Sequence, residues 1–237
     1  MIEVEPEVFK GVIARAAWEE AVNKFDGRDL KPTLPMEDVG WRAAGMLDED
    51  GYLRDAWLTA LLVTKHPQTT AFVIAKRGEL AYTTQLASNG RHVVVTTGRA
   101  RVHEDEVVLH EPIYEIFCAP DQRSWQLVRR ALPPEFLAGQ DEPSVEPRRV
   151  EIGATPDQLA YDSQESVTQF LDALAKDPVM QAAQRVEVSV NVAIWHGETA
   201  RSWMWFAVDG QYFRADEDGI YRVGRTDLDK VLATQLG

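Results

Sequence analysis

Between Val186 and Ile194 the chain alternates without a break: Val186, Val188, Val190, Val192 and Ile194 on one side, with Glu187, Ser189 and Asn191 between them. A period of two predicts a strand with one core-facing side, here within the stretch Val186 to Trp195. The run that follows through Gly197, from Arg201 to Val208, is apolar on both sides. Trp203 and Trp205 share one face, and Met204, Phe206 and Val208 share the other, so apolar cover is expected on each side of it. An Asp209-Gly210 turn, the runs Gln211 to Ala215 and Ile220 to Val223, and a closing amphipathic segment from Asp227 to Leu236 complete this C-terminal block.

The same order of elements occurs earlier, between Thr70 and Leu132. Phe72 to Lys76 leads through Gly78 into Leu80 to Leu86, an Asn89-Gly90 turn, and Arg91 to Thr97. A further hairpin, Ile113 to Ile116 and an amphipathic segment from Asp121 to Leu132 then follow. Asn-Gly and Asp-Gly dipeptides between strands predict type I′ hairpins, because both central residues of that turn need positive φ. Aligning the turns gives an offset of 209 − 89 = 120, and aligning the Ile-Tyr pairs gives 220 − 113 = 107. The first copy therefore carries 120 − 107 = 13 extra residues, assigned to the hairpin from Gly98 to His110. Turn type and element order, rather than side-chain identity, make this an expected internal repeat.

Outside the two blocks the period changes to that of a helix. Apolar residues from Val8 to Val22 predict an N-terminal amphipathic helix over Pro6 to Lys24, followed by a loop through Pro35 and a short helix from Met36 to Leu47. Leu53, Trp57, Leu58, Leu61 and Leu62 form a stripe on another helix, which should stop before His66-Pro67. Residues 133–147 are rich in proline and acid and read as a linker. Beyond it, Val150 to Ile152 reads as a short strand. Thr155-Pro156 has helix-start chemistry and Ser163 to Lys176 reads as a helix. The fold class expected is α+β on a large antiparallel sheet. Length alone permits one domain or two, but the repeat favours a single body over 1–237, with halves at about 1–132 and 148–237.

Composition narrows the function classes. The chain is 45 % hydrophobic and 27 % charged, ordinary for a globular protein with a sizeable core. Its formal net charge of −13 argues against nucleic-acid or anionic-membrane binding, which needs clustered Lys and Arg. Cys118 is the single cysteine, so no internal disulfide can form. The acidic start and the lack of a long apolar run predict a cytosolic protein without membrane insertion.

Catalytic patterns are missing: there is no glycine-rich phosphate loop, nucleophile elbow, zinc-binding helix or dinucleotide fingerprint. The acidic turns Asp48 to Gly51 and Asp216 to Gly219 lack the alternate-position acids of a calcium loop. Cys118 reads as a small buried hydrophobe. The candidate binding residues are Trp195, Trp203, Trp205 and Tyr212, since aromatics dominate interface hot spots. The competing reading is that they pack under helices of the same chain.

Several local patterns, taken in order, resemble the EspG family of chaperones of the mycobacterial and actinobacterial type VII (ESX) secretion systems. They are the N-terminal helix, Gly51-Tyr-Leu-Arg-Asp-Ala-Trp-Leu58 before His66-Pro67, Asn89-Gly-Arg-His-Val-Val-Val-Thr-Thr97, Asp209-Gly-Gln-Tyr-Phe213, and Thr226-Asp-Leu-Asp-Lys-Val-Leu232. The resemblance spans essentially the whole chain. It implies a central antiparallel sheet flanked by two helical bundles with quasi-twofold symmetry. It also implies a cytosolic chaperone that binds a PE/PPE-like heterodimer and keeps it soluble for export, with no catalysis and no cofactor. The acidic charge leaves room for a cargo other than a typical PE/PPE pair. Two other readings stand beside it: a hydrolase or lyase working between the halves with His92 or His110, and a structural subunit with a twofold contact through the aromatic surface.

Overall fold

Ten strands form one fully antiparallel sheet in the computed structural model, which describes residues 9–26, 35–103, 106–137, 145–150, 186 and 188–236. In chain order the strands are β1 (Phe9–Ala14), β2 (Thr69–Arg77), β3 (Leu80–Ser88), β4 (His92–His103), β5 (Glu106–Pro120), β6 (Arg148–Arg149), β7 (Val188–His196), β8 (Thr199–Val208), β9 (Gln211–Asp216) and β10 (Gly219–Val223). Across the sheet they run β1-β5-β4-β3-β2-β7-β8-β9-β10-β6. Two four-stranded meanders, β2 to β5 and β7 to β10, thus meet through their first strands. The β2–β7 seam pairs Thr69 with His196 at one end and Arg77 with Val188 at the other.

The alternation in β7 decides what lies on each face. Val188, Val190, Val192 and Ile194 join Ala71, Val73 and Ala75 of β2 on one side, here face A, together with Trp205 of β8. Among the described residues this face is covered by α4 (Ser124–Arg129) and α5 (Asp227–Leu236), which insert Leu127, Val128, Leu228, Leu232 and Leu236. The two helices are tied together by Arg129, which donates to both Asp229 carboxylate oxygens at 3.0 and 3.4 Å. Face B is covered at the β1–β5–β4–β3 end by α1 (Arg15–Lys24), α2 (Pro35–Ala43) and α3 (Asp55–Lys65). There Trp18, Trp41 and Trp57 pack over Val94, Ile116 and Cys118. At the far end of the same face Phe206 and Phe213 stack at 5.2 Å.

Several sequence expectations are corrected. The N-terminal helix begins only at Arg15, because Phe9 to Ala14 pairs antiparallel with β5 as the sheet's edge strand. The segment from Asp121 to Leu132 is helical only to Arg129, entered through a 3-10 turn at Asp121–Arg123. In the Asn89-Gly90 turn only Gly90 has positive φ, at 80°. Asn89 donates its N–H to the His92 carbonyl and so closes the hairpin, leaving Gly90-Arg91 as the central pair. Its side chain accepts from Arg91 and His92 N–H groups, an Asx turn in place of type I′. The Asp209-Gly210 turn does have positive φ at both residues, 50° and 73°. The Ile-Tyr pairs are not equivalent either: Ile113 shares face A with Phe117, whereas Ile220 opposes Ala215 on face B.

Part of the expected linker belongs to the core. Pro134–Phe136 forms a 3-10 turn that buries Phe136 against Tyr212. Arg225 donates to the carbonyls of Pro134 and Glu135, and Arg77 pairs with the Glu135 carboxylate. The expected cap at Thr155 and helix from Ser163 to Lys176 lie outside the described residues. The longer hairpin of the first meander is present, with β4 and β5 at 12 and 15 residues against 6 and 5 for β9 and β10.

One buried polar network fixes α5 to the sheet. Asp227, 8 % exposed, accepts from the Trp205 indole N–H at 2.9 Å and from Arg214 Nη1 at 3.1 Å. Arg214 Nε donates to Asp216 at 3.1 Å. Asp227→Ala leaves the buried Trp205 indole N–H without its acceptor and Arg214 with Asp216 as its remaining carboxylate, so it should destabilise the fold by about 1–3 kcal/mol in denaturant unfolding. Gly98 is a second sensitive point, since a Cβ there would sit 2.8 Å from the Tyr114 ring, itself held in the core. Gly98→Ala should therefore cost about 1–3 kcal/mol by the same measurement.

Candidate functional site

The central part of face B has a different character from either end. Register places Phe72, Ala193 and Ser202 in one cross-strand row, and Ile74, Asn191, Met204 and Ala215 in the next. Directly opposed residues on antiparallel strands share a face, so these seven side chains form one floor. Alanines at 193 and 215 leave it low between the larger Phe72, Ile74 and Met204. The result is a groove of about 460 Å³, with Glu217 at the β9 end. Its floor is mainly apolar and partly exposed, with Asn191 and Ser202 as polar side chains and Asp216 and Glu217 at the β9 end.

The sequence candidates divide between the two faces. Trp195 lies on face B, one row beyond Ala193, and is 39 % exposed. With Pro67, Gln68, Thr70 and Gly197 it borders a second depression. Trp203, Trp205 and Tyr212 are on face A instead. Trp205 is 1 % exposed and donates to Asp227, while Trp203 stacks beside it at 6.3 Å and Tyr212 meets Phe136 edge-on at 5.9 Å. Trp205 is buried, and Trp203 and Tyr212 are partly buried against the same core cluster, so the four candidates do not share one face. The groove residues Phe72, Ile74, Ala193 and Met204 were missed. Their signal was the apolar second face of β8 combined with Phe72 and Ile74, which only the β2–β7 pairing brings together.

The titratable groups show little sign of a catalytic arrangement. His110 is near Arg15 and Glu19; partial burial and the Arg15 charge lower its pKa, with Glu19 opposing them. Tyr114 donates to Glu19 at 3.4 Å, and burial raises the phenol's pKa. His92 sits at the Asn89 turn, its backbone N–H bonded to the Asn89 side chain. Neither the central groove nor the depression beside Trp195 is lined by a histidine. The acidic turns use their carboxylates locally: Asp48 accepts from the Tyr52 N–H, and Asp216 from the Asp218 N–H and Arg214. Among the described residues no group of three or more His, Cys, Asp or Glu is placed to hold a metal ion. No helix among them is long and apolar enough to cross a membrane.

No family model matches this chain, and no curated protein matches it.

Cys118 is buried in the core under α1 to α3, and burial pushes its thiol pKa up to about 11. Folding thus favours the protonated thiol, and that stabilising preference is lost as pH rises from the unfolded value toward about 11. Native protein at pH 8 should react with a thiol reagent such as DTNB far more slowly than denatured protein. Immediate stoichiometric reaction of folded protein would show that Cys118 is accessible.

Proposed function

We propose that this protein is a chaperone of a type VII secretion system, of the EspG kind, acting in the cytosol. It binds a PE/PPE-like cargo non-covalently and keeps it soluble until export. The observation that carries the reading is the apolar groove across the middle of face B, at the junction of the two meanders. A partly exposed apolar groove with few polar groups suits a helical cargo segment, which lays its apolar side chains into such a surface. High net negative charge suits a carrier that must itself stay in solution.

The finer architecture belongs to the same proposal: two helical bundles about the sheet, related by an internal pseudo-twofold axis through the β2–β7 seam. Its support is a constant offset. The Gly78-Glu79 and Gly197-Glu198 turns differ by 197 − 78 = 119, and the hairpin-closing residues Asn89 and Val208 by 208 − 89 = 119. Applying 119 to the seam turns Thr69 into position 188 and Arg77 into position 196, so the pair Thr69–His196 maps onto Arg77–Val188. The register of the seam is thus unchanged when the meanders are exchanged. Helices α1 to α3 stand as one bundle in this reading.

A hydrolase or lyase built on His92 or His110 requires a histidine and carboxylates converging in a pocket. The groove on face B offers a mainly apolar floor instead. Co-expression of the full chain with a PE–PPE pair, followed by gel filtration, tests the chaperone reading, and failure to recover a complex at mild salt would count against it. Met204→Glu places a charge on the groove floor at a partly exposed position. It should weaken cargo binding by at least about tenfold while leaving the folded far-UV spectrum intact; unchanged cargo binding would remove the groove from the interface.

A further inference from the structure

Face A carries a second surface, at the end of the sheet away from α5. Register places Leu80, Arg101 and Leu109 in one cross-strand row, and Tyr82 beside Arg99 in the next. Val12 of β1 and Ile113 of β5 continue the same face. These five apolar side chains are between 40 % and 59 % exposed. They are five of the eleven exposed large hydrophobics among the described residues, so exposure is concentrated here and not scattered. Val12, Tyr82 and Ile113 wall a groove of about 390 Å³ with Phe117 and Leu127, and Arg99 and Arg130 also line it.

Charge sets this surface apart from the rest of the molecule. Arg99 lies over the Tyr82 ring at 5.6 Å, and Arg130 over the Phe117 ring at 4.7 Å. Arg101 is exposed beside them. Lys10 and Glu115 pair with each other at 3.5 Å, leaving Glu111 as the other acid lining the groove. The named groups sum to +4 − 2 = +2, on a chain of net charge −13. Stacked arginines hold their charge while presenting planar donors to a carboxylate.

We propose that this surface docks an acidic amphipathic segment of a partner protein, separately from the groove on face B. The apolar side chains give it a footing, and Arg99, Arg101 and Arg130 select Asp or Glu along its flank. A lipid surface fits less well, since the molecule's overall charge repels anionic headgroups.

The test uses the full chain and two labelled probes: an amphipathic helical peptide with Leu on one face and Glu on the other, and its counterpart with Lys in place of Glu. The overall charge of the protein favours the Lys peptide. Fluorescence anisotropy at about 0.15 M salt, where long-range attraction is largely screened, should nevertheless show the Glu peptide bound about tenfold more tightly or better. The double variant Arg99→Glu/Arg130→Glu changes exposed side chains and should reverse the preference. Leu109→Ser, also exposed, should weaken the Glu peptide several-fold. Equal binding of the two probes, or preference for Lys in the unaltered protein, overturns the proposal. It is equally overturned by binding confined to anionic vesicles, or by a concentration-dependent dimer in sedimentation that Leu109→Ser abolishes, since a membrane or a second copy then occupies the surface.

Discussion

The pairing of β2 with β7 is the constraint on which the rest of this molecule depends. It joins strands separated in the chain by all of the first meander and its connection to the second, and it sets the register for everything outward of it. With Val73 opposite Val192, the apolar side of each strand is committed to face A, where α4 and α5 meet. The other side of the same two strands then presents Phe72, Ile74, Asn191 and Ala193 on face B. A shift of one residue would exchange the two sets and bury Asn191 in place of Val192. The groove is therefore a consequence of the register that builds the core.

Two kinds of interaction lock this arrangement. Apolar burial supplies most of the driving force, through Leu228 and Leu232 of α5 and Leu127 and Val128 of α4. Polar contacts then fix the orientation. Asp227 holds Trp205 and Arg214, Asp229 holds Arg129, and Arg225 holds the 3-10 turn that seats Phe136. Each is made at the edge of the apolar layer, where a charged group can be paired without complete loss of solvent. The two faces consequently differ in kind: one central groove is apolar with few charges, while the surface beyond α4 combines exposed apolar groups with arginines stacked on aromatic rings.

Much of the local structure was legible in the residue pattern. The clean alternation in β7, the double apolar character of β8 and the stop of α3 before His66-Pro67 each follow from side-chain period or backbone restriction. Errors arose where one pattern fits two structures. Phe9 to Ala14 carries apolar residues at spacings that a helix also accepts, and its pairing with β5 decided for a strand. The Asn89-Gly90 pair satisfies the type I′ preference, yet Asn89 uses its side chain as an acceptor and shifts the turn by one residue. Trp205 had the aromatic character of an interface anchor, but its indole N–H found Asp227 inside the same chain.

The periods, the turn positions and the apolar sides of most strands follow from residue order, because these depend on neighbours within a few residues. The acidic balance and the lack of known catalytic patterns are likewise read from residue order. Which strands lie side by side emerges only in the folded chain. Backbone hydrogen bonds between β2 and β7, or between β1 and β5, carry no side-chain signature of their partner. That choice assembled Phe72 with Met204 across β7, and Tyr82 with Ile113 and Arg130 across the outer sheet. The candidate surfaces are products of long-range pairing, so single residues such as Trp203 could suggest them without locating them.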